Sequence, residues 1–198
     1  MDSRVAGVLL AAGEGSRFGR PKALVEWDGQ TLAERGVGML LAGGADPVLL
    51  VTGAARIDLP SDLGVLVAHN GEWRTGMGSS LRTALQALPP DADAAVVALA
   101  DQPLVSPQAV ARLIAAGQAG AGVAVAAYEG QPRNPVLLAR EYWPEVIALA
   151  TGDQGARAFL RARPDLVTLV ECGDISRPDD FDSPADLDRF AGRRPSGS

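Results

Sequence analysis

Five short, almost wholly apolar runs alternate with segments of helical periodicity, and that alternation sets what this chain can fold into. The runs are 5–10, 47–52, 65–68, 94–99 and 123–127, each of strand length. Helical patterns occupy roughly 31–42, 79–88 and 107–119. A strand that is apolar on both faces has to be covered on both, which calls for a mostly parallel sheet between two helical layers. Ser106-Pro107 gives the third helix a capping hydroxyl followed by proline at the first helical position, and Ser183-Pro184 repeats that signal before 185–190. After about Gly122 the order is less regular, with Pro132-Arg133-Asn134-Pro135 between two apolar stretches. The expected fold is a doubly wound, three-layer α/β/α, Rossmann-like domain over 1–191, with a tail of disordered composition over 192–198. In such sheets ligands bind beyond the C-terminal ends of the strands.

The first strand ends in Leu10-Ala11-Ala12-Gly13-Glu14-Gly15-Ser16-Arg17-Phe18-Gly19-Arg20-Pro21-Lys22. Glycines let a backbone turn with positive φ and approach a ligand closely, and successive free N–H groups in such a turn cradle anions. Arg17, Arg20 and Lys22 concentrate positive charge there in a chain of net charge −6. A dinucleotide fingerprint would need glycine where Phe18 stands, and the Gly13–Gly19 spacing is one residue too long for a Walker loop. An extended loop wrapped around a triphosphate is expected, the alternative being a solvated glycine-rich surface turn.

The fourth run ends at Ala100-Asp101-Gln102-Pro103. A carboxylate at that sheet edge, beside a phosphate loop, suits Mg²⁺, which usually takes one or two carboxylates plus substrate phosphates and water. A turn or capping aspartate is the other reading. Asp179-Asp180-Phe181-Asp182 offers a second metal carboxylate, Asp180 or Asp182, or simply helix-start residues. Asn70 and the following Gly76-Met77-Gly78-Ser79-Ser80 bring free N–H groups and hydroxyls to a helix start, for a base, ribose or phosphate. Ser79 or Ser80 would equally cap that helix. Trp27 reads as a hairpin or packing residue, and Trp73 with Arg74 either touches the acceptor or packs the loop.

Other features narrow the function class. No apolar run reaches the roughly 18 to 20 residues of a membrane span, and Met1-Asp2-Ser3-Arg4 leads straight into the first strand, leaving no room for a signal peptide. A cytoplasmic location is expected, with Cys172 as a buried structural thiol. Scattered basic residues in an acidic chain argue against a nucleic-acid partner. A single histidine, His69, gives little basis for a serine-protease-like triad or a multi-histidine zinc site.

Taken together, the motifs resemble the nucleotidyltransferases of molybdenum cofactor biosynthesis, within the wider nucleotide-diphospho-sugar-transferase-like fold. The matching pieces are the loop from Leu10 to Lys22, Asn70 with Gly76 to Leu81, and Leu99 to Pro103. Pro132 to Val136, Gly152-Asp153-Gln154-Gly155-Ala156-Arg157 and Asp180 to Pro184 complete them. They occur in the family's order and cover nearly the whole chain. Ala11-Ala12-Gly13 is similar to the cytidylyltransferase branch, whereas the guanylyltransferase branch typically has glycine where Ala12 stands. Phe18 replaces a more usual methionine, and Asn134 stands where histidine is common.

The resemblance implies transfer of CMP from CTP to the terminal phosphate of molybdopterin, with pyrophosphate leaving. It implies nucleotide contacts from Leu10, Ala11, Ala12 and Gly13, then Gly15, Ser16, Arg17 and Lys22, and across the cleft Asn70, Ser79 and Ser80. Arg17, Lys22 and Asp101 would carry catalysis, with Mg²⁺ on Asp101 and on Asp180 or Asp182. The expected partners are small-molecule substrates, with neither nucleic acid nor membrane, and a transient contact with a molybdoenzyme or its chaperone. Another phosphorylated acceptor, GTP as donor, or a nucleotide-binding module without turnover are the rivals, and a dinucleotide oxidoreductase is a more distant one.

Overall fold

The structure, a computed structural model, describes residues 4–190; the 192–198 tail lies outside the described residues. In chain order the strands are β1 (Val5–Leu10), β2 (Glu26–Trp27), β3 (Gln30–Thr31), β4 (Val48–Thr52), β5 (Leu66–His69), β6 (Ala94–Leu99), β7 (Val123–Tyr128), β8 (Gln131–Ala139) and β9 (Val167–Glu171). The helices are α1 (Leu32–Ala42), α2 (Met77–Ala87), α3 (Pro107–Gln118), α4 (Trp143–Leu149), α5 (Arg157–Ala162) and α6 (Pro184–Phe190). Seven strands form one sheet in the order β5-β4-β1-β6-β8-β7-β9. Pairing is parallel throughout except where β8 runs against β6 and β7. This is the expected doubly wound α/β sheet.

Side chains alternate across a strand, and the alternation divides the core in two. Leu9, Val96 and Ala98 meet Val37 and Leu40 of α1 and Val110 and Leu113 of α3. Val8, Ala95 and Val97 meet Leu81 and Leu85 of α2, Val146 of α4 and Phe159 of α5. A third cluster, Val25, Trp27, Leu32, Leu104, Phe181 and Phe190, lies at one end of the sheet. The β2–β3 hairpin that carries Trp27 turns through Asp28 and Gly29, both at positive φ, as a two-residue hairpin loop requires. Trp27 is thus a hairpin residue and a packing residue together.

Local signals set most helix starts. Ser106 accepts the Ala109 N–H with Pro107 in the first turn of α3, as expected. Thr31 and Glu34 form a reciprocal capping box on α1. At α2 the serine-cap reading is corrected: the helix begins at Met77, Gly76 is the cap residue, and no side chain caps it. Cys172 is fully buried, and burial pushes its thiol up to about 11.

The irregular stretch after Gly122 is β8, whose two prolines hide it from a reading by pattern. Its β6 ladder runs from Val136 to Ala139, so on that side the proline-bearing half has no ladder to interrupt. At its other end a Glu129-Gly130 turn, both residues at positive φ, joins it to β7.

Candidate active site

The C-terminal ends of β1 and β6, the loop after β1 and the turn leading into α2 make a cleft of about 220 Å³. The loop after β1 is not extended throughout, because 3-10 turns form at Ser16–Phe18 and Lys22–Leu24. Gly15 lies at φ 62°, and a Cβ there would sit 2.3 Å from the Arg20 carbonyl oxygen and 2.7 Å from the Lys22 nitrogen. No other residue permits that fold-back, which brings Lys22 alongside the start of the loop. Leu10, Ala11, Ala12 and Gly13 line one wall of the cleft, with Lys22 and Asp101 at its end.

Lys22 is the centre of the charged cluster. Its Nζ lies 3.0 Å from Asp101 Oδ2 and 2.5 Å from Asp182 Oδ1. Arg17, largely exposed, approaches the other Asp182 oxygen at 3.6 Å. Burial alone would lower the Lys22 pKa, but the two carboxylates outweigh it and hold the ammonium above the ordinary lysine range. Asp101 goes up as well: burial disfavours its charge, Lys22 offsets this only in part, and Asp180 and Asp182 add repulsion. One ammonium serves two carboxylates, so the lysine is over-compensated and the more buried aspartate under-compensated.

Packing brings residue 182 to residue 101. The Phe181 N–H donates to the Asp101 carbonyl at 2.7 Å. The Phe181 ring is fully buried, 5.1 Å edge-on from Trp27 and 5.2 Å stacked on Phe190. Asp186 Oδ2 accepts from the backbone N–H groups of Asp182 and Ser183. Asp182 is thereby gathered with Asp101 on one cation, whereas Asp180 accepts a 2.8 Å hydrogen bond from Gln102 Nε2.

Two hard carboxylates converging on one positive charge are a donor set that fits a divalent cation bound mainly through phosphates and water. Among the described residues no group of three or more His, Cys, Asp or Glu side chains is placed to hold a metal. A metal here would therefore use Asp101 and Asp182 and draw its remaining ligands from substrate and solvent.

Opposite the loop, Asn70 is 2% exposed and lies behind the wall. Its amide donates to Ser79 Oγ at 2.8 Å and Ser80 Oγ at 3.0 Å, and its oxygen accepts from the Glu72 N–H. Of these three expected contacts, Ser80 lines the cleft, while Asn70 and Ser79 brace the turn that shapes it. Gly15, Ser16 and Arg17 do not line the cleft.

Met77 and Asp153, given no ligand role from the sequence, line the cleft together with the undecided Trp73 and with Gly76, expected at the helix start. Arg74 stacks over the Trp73 ring, 4.3 Å from its centroid. The signal for Asp153 was present in the Gly152-Asp153-Gln154-Gly155 stretch. Only the tertiary contact reveals its place: a Cβ on Gly76 would lie 2.4 Å from Gly152 C, so the two turns abut.

Past Met77, which lines both, a second bay of about 580 Å³ opens on the same sheet edge. Val136, Val125 and Leu169, neighbours across β8, β7 and β9, floor it. Gln102 and Asp180 stand on its wall, and Arg133, Arg157 and Arg161 also line it.

Comparison with known proteins gives a consistent picture. A family model described as a MobA-like NTP transferase domain matches residues 7–167. A nicotine blue oxidoreductase of Paenarthrobacter nicotinovorans is 39% identical over 193 residues, covering 90% of this chain and 92% of that one. A molybdenum cofactor guanylyltransferase of Xanthomonas euvesicatoria is 35% identical over 117 residues, 57% of this chain and 54% of that one. Among solved structures, an Rv0371c homologue from Mycobacterium sp. strain JC1 superposes with TM-score 0.81 at 31% identity, covering 96% of each chain. Rv0371c of Mycobacterium tuberculosis, in a complex with manganese, gives 0.74 at 26% identity over 96% of this chain and all of that one.

Proposed function

This chain belongs to the MobA-like NTP transferase family, and from that premise we propose that it transfers CMP from CTP to the terminal phosphate of molybdopterin, with Mg²⁺, in the cytoplasm. The observation that carries nucleotidyl transfer is the Lys22–Asp101–Asp182 cluster at the end of a glycine-turned cleft. An oxygen of the acceptor phosphate attacks the α-phosphorus of the nucleotide. The bond to the bridging oxygen breaks, and pyrophosphate leaves with the electron pair. Lys22 and Arg17 hold the triphosphate and take up charge on the departing pyrophosphate. The loop and the Ser80 wall fix the nucleotide for in-line approach. Mg²⁺ held by Asp101 and Asp182 would supply further charge neutralisation at the reacting phosphates. The attacking phosphate is already anionic and needs no strong base. His69, on β5, does not line the cleft.

Ala12 supports CTP over GTP. It lines the cleft and packs against Gly53, where an added Cβ would lie 2.8 Å from the Ala12 methyl. A methyl group near the base edge, where the guanylyltransferase branch typically has glycine, favours the smaller pyrimidine. GTP is the rival donor, given the name of the Xanthomonas relative. A second reading rests on the similarity, over 90% of this chain, to a nicotine blue oxidoreductase: an oxidoreductase acting on that compound at the same cleft. One experiment separates them. Pyrophosphate release is measured with Mg²⁺ and each of CTP, GTP, ATP and UTP, with and without molybdenum-loaded molybdopterin, beside NADH and NADPH oxidation with nicotine blue. Release confined to CTP plus the pterin supports the proposal. Release with GTP alone moves the base preference, and nicotinamide oxidation without pyrophosphate replaces the reading.

A further inference from the structure

The bay beyond Met77 has more positive charge than attack by one acceptor phosphate requires. In the proposed reaction that attack takes place at the Lys22 end of the cleft. Arg133 and Arg157 line the bay and make no hydrogen bond or ion pair with any described residue. Several other arginines of this acidic chain are tied down: Arg112 to Asp174, Arg163 to Glu145 and Asp165, Arg177 to Asp179. Arg161, one helical turn after Arg157 on α5, donates to Gln154 Oε1 and stays on the same wall.

Two further observations concern the space between these charges and the cleft. The floor, Val136–Val125–Leu169, is a flat cross-strand row, and Leu169 is 48% exposed, an unusual openness for a leucine over a sheet. On the wall, Gln102 is 6% exposed, and its Oε1 is buried without a hydrogen-bond partner. Its amide nitrogen is committed to Asp180, so the oxygen faces away from that carboxylate and lacks a donor.

We propose that the bay takes a two-ended acceptor. It has a flat apolar body, its phosphate at the Lys22 end and a second anionic group held by Arg133 and Arg157. This rests on the reading of the cleft as the nucleotide site, and it names the class of acceptor. A neutral-tailed phosphate would leave both guanidinium groups unused.

The test is calorimetric binding of matched probes. 4-Carboxyphenyl phosphate carries a phosphate and a carboxylate at opposite ends of a flat ring, and its carboxamide counterpart has the same shape without the second charge. The carboxylate probe is expected to bind the full chain at least tenfold more tightly. Arg133→Ala and Arg157→Ala should each erode that preference and together abolish it, with CTP affinity unchanged. Equal binding of the two probes, failure of both to bind, or a preference that survives both substitutions overturns the proposal. If the preference holds while no nucleotide gives pyrophosphate, the transferase reading fails and the two-anion bay stands. If pyrophosphate is released and the probes bind equally, the bay proposal alone falls.

Discussion

Lys22 holds one positive charge between two carboxylates, so its loss has consequences that differ from those of an ordinary surface lysine. Lys22→Ala is expected to lower turnover at least tenfold, about 1.4 kcal/mol of barrier, with the fold retained; wild-type rates of pyrophosphate release would remove the role. Asp101 gives a prediction with a definite sign. Its folded pKa lies above the ordinary carboxylate value of 3.8 because it is buried. Folding therefore favours its protonated form, and the associated stability is present below 3.8 and lost as pH rises through the raised value. Asp101→Asn removes the penalty of a buried charge, and Lys22 keeps Asp182 as a partner. The variant should unfold at an equal or higher temperature than the wild type at pH 7, the difference closing as pH is lowered toward 3.8. A variant markedly less stable at pH 7 would mean that the Lys22 pair outweighs burial. Both residues were legible as chemistry in the sequence, because a lysine and a carboxylate at neighbouring strand ends have few structural duties. Asn70 and Ser79 are engaged within the fold, the Asn70 amide with the Ser79 and Ser80 hydroxyls and Ser79 with the Glu72 and Gly76 carbonyls, and such bonds inside a turn leave no mark in sequence.

At the level of elements, the segment before α6 is positioned by a ring rather than by its acids. Phe181 lies between Trp27 of the β2–β3 hairpin and Phe190 of α6. Phe181→Ala should cost about 3–5 kcal/mol, the range for emptying a buried aromatic site. It should also lower activity in the fraction that stays folded, since Asp182 hangs from the same backbone. A drop in thermal stability with full specific activity would show that Asp182 finds its place without the ring. The pattern Asp180-Phe181-Asp182 gave both carboxylates as metal candidates. Choosing between them needed the packing of that ring and two contacts between distant residues, Asp182 with Lys22 across 160 positions and Asp180 with the Gln102 amide across 78.

For the whole molecule, the cleft and the folded state are coupled by mass action. A ligand that binds the native state alone, at 100 times its dissociation constant, stabilises it by about 2.7 kcal/mol. The nucleotide that serves as donor should raise the unfolding temperature accordingly, and NTPs that are not donors should not at the same concentration. A melting curve unmoved by all four would argue against a nucleotide site at this sheet edge. The layers that transmit this coupling, α1 and α3 on one face and α2, α4 and α5 on the other, were expected for the three helices with clear periodicity. β8, α4 and α5 were not, because β8 contains two prolines and α4 and α5 are only 7 and 6 residues long, too short for a periodic signal.

By itself the sequence determined the layered α/β sheet, the glycine-turned loop after β1 and the candidacy of Lys22 and Asp101. Each is a local consequence: apolar runs must be covered, positive φ needs glycine, and charge placed after an apolar strand faces outward. Only the tertiary structure decided that Asp182 rather than Asp180 joins Asp101 on Lys22, that Trp73, Met77 and Asp153 form the cleft, and that two unpaired arginines stand in a bay beyond it. Those facts depend on contacts between distant segments, where the geometry of one ring, one amide or one turn against another sets which charges meet.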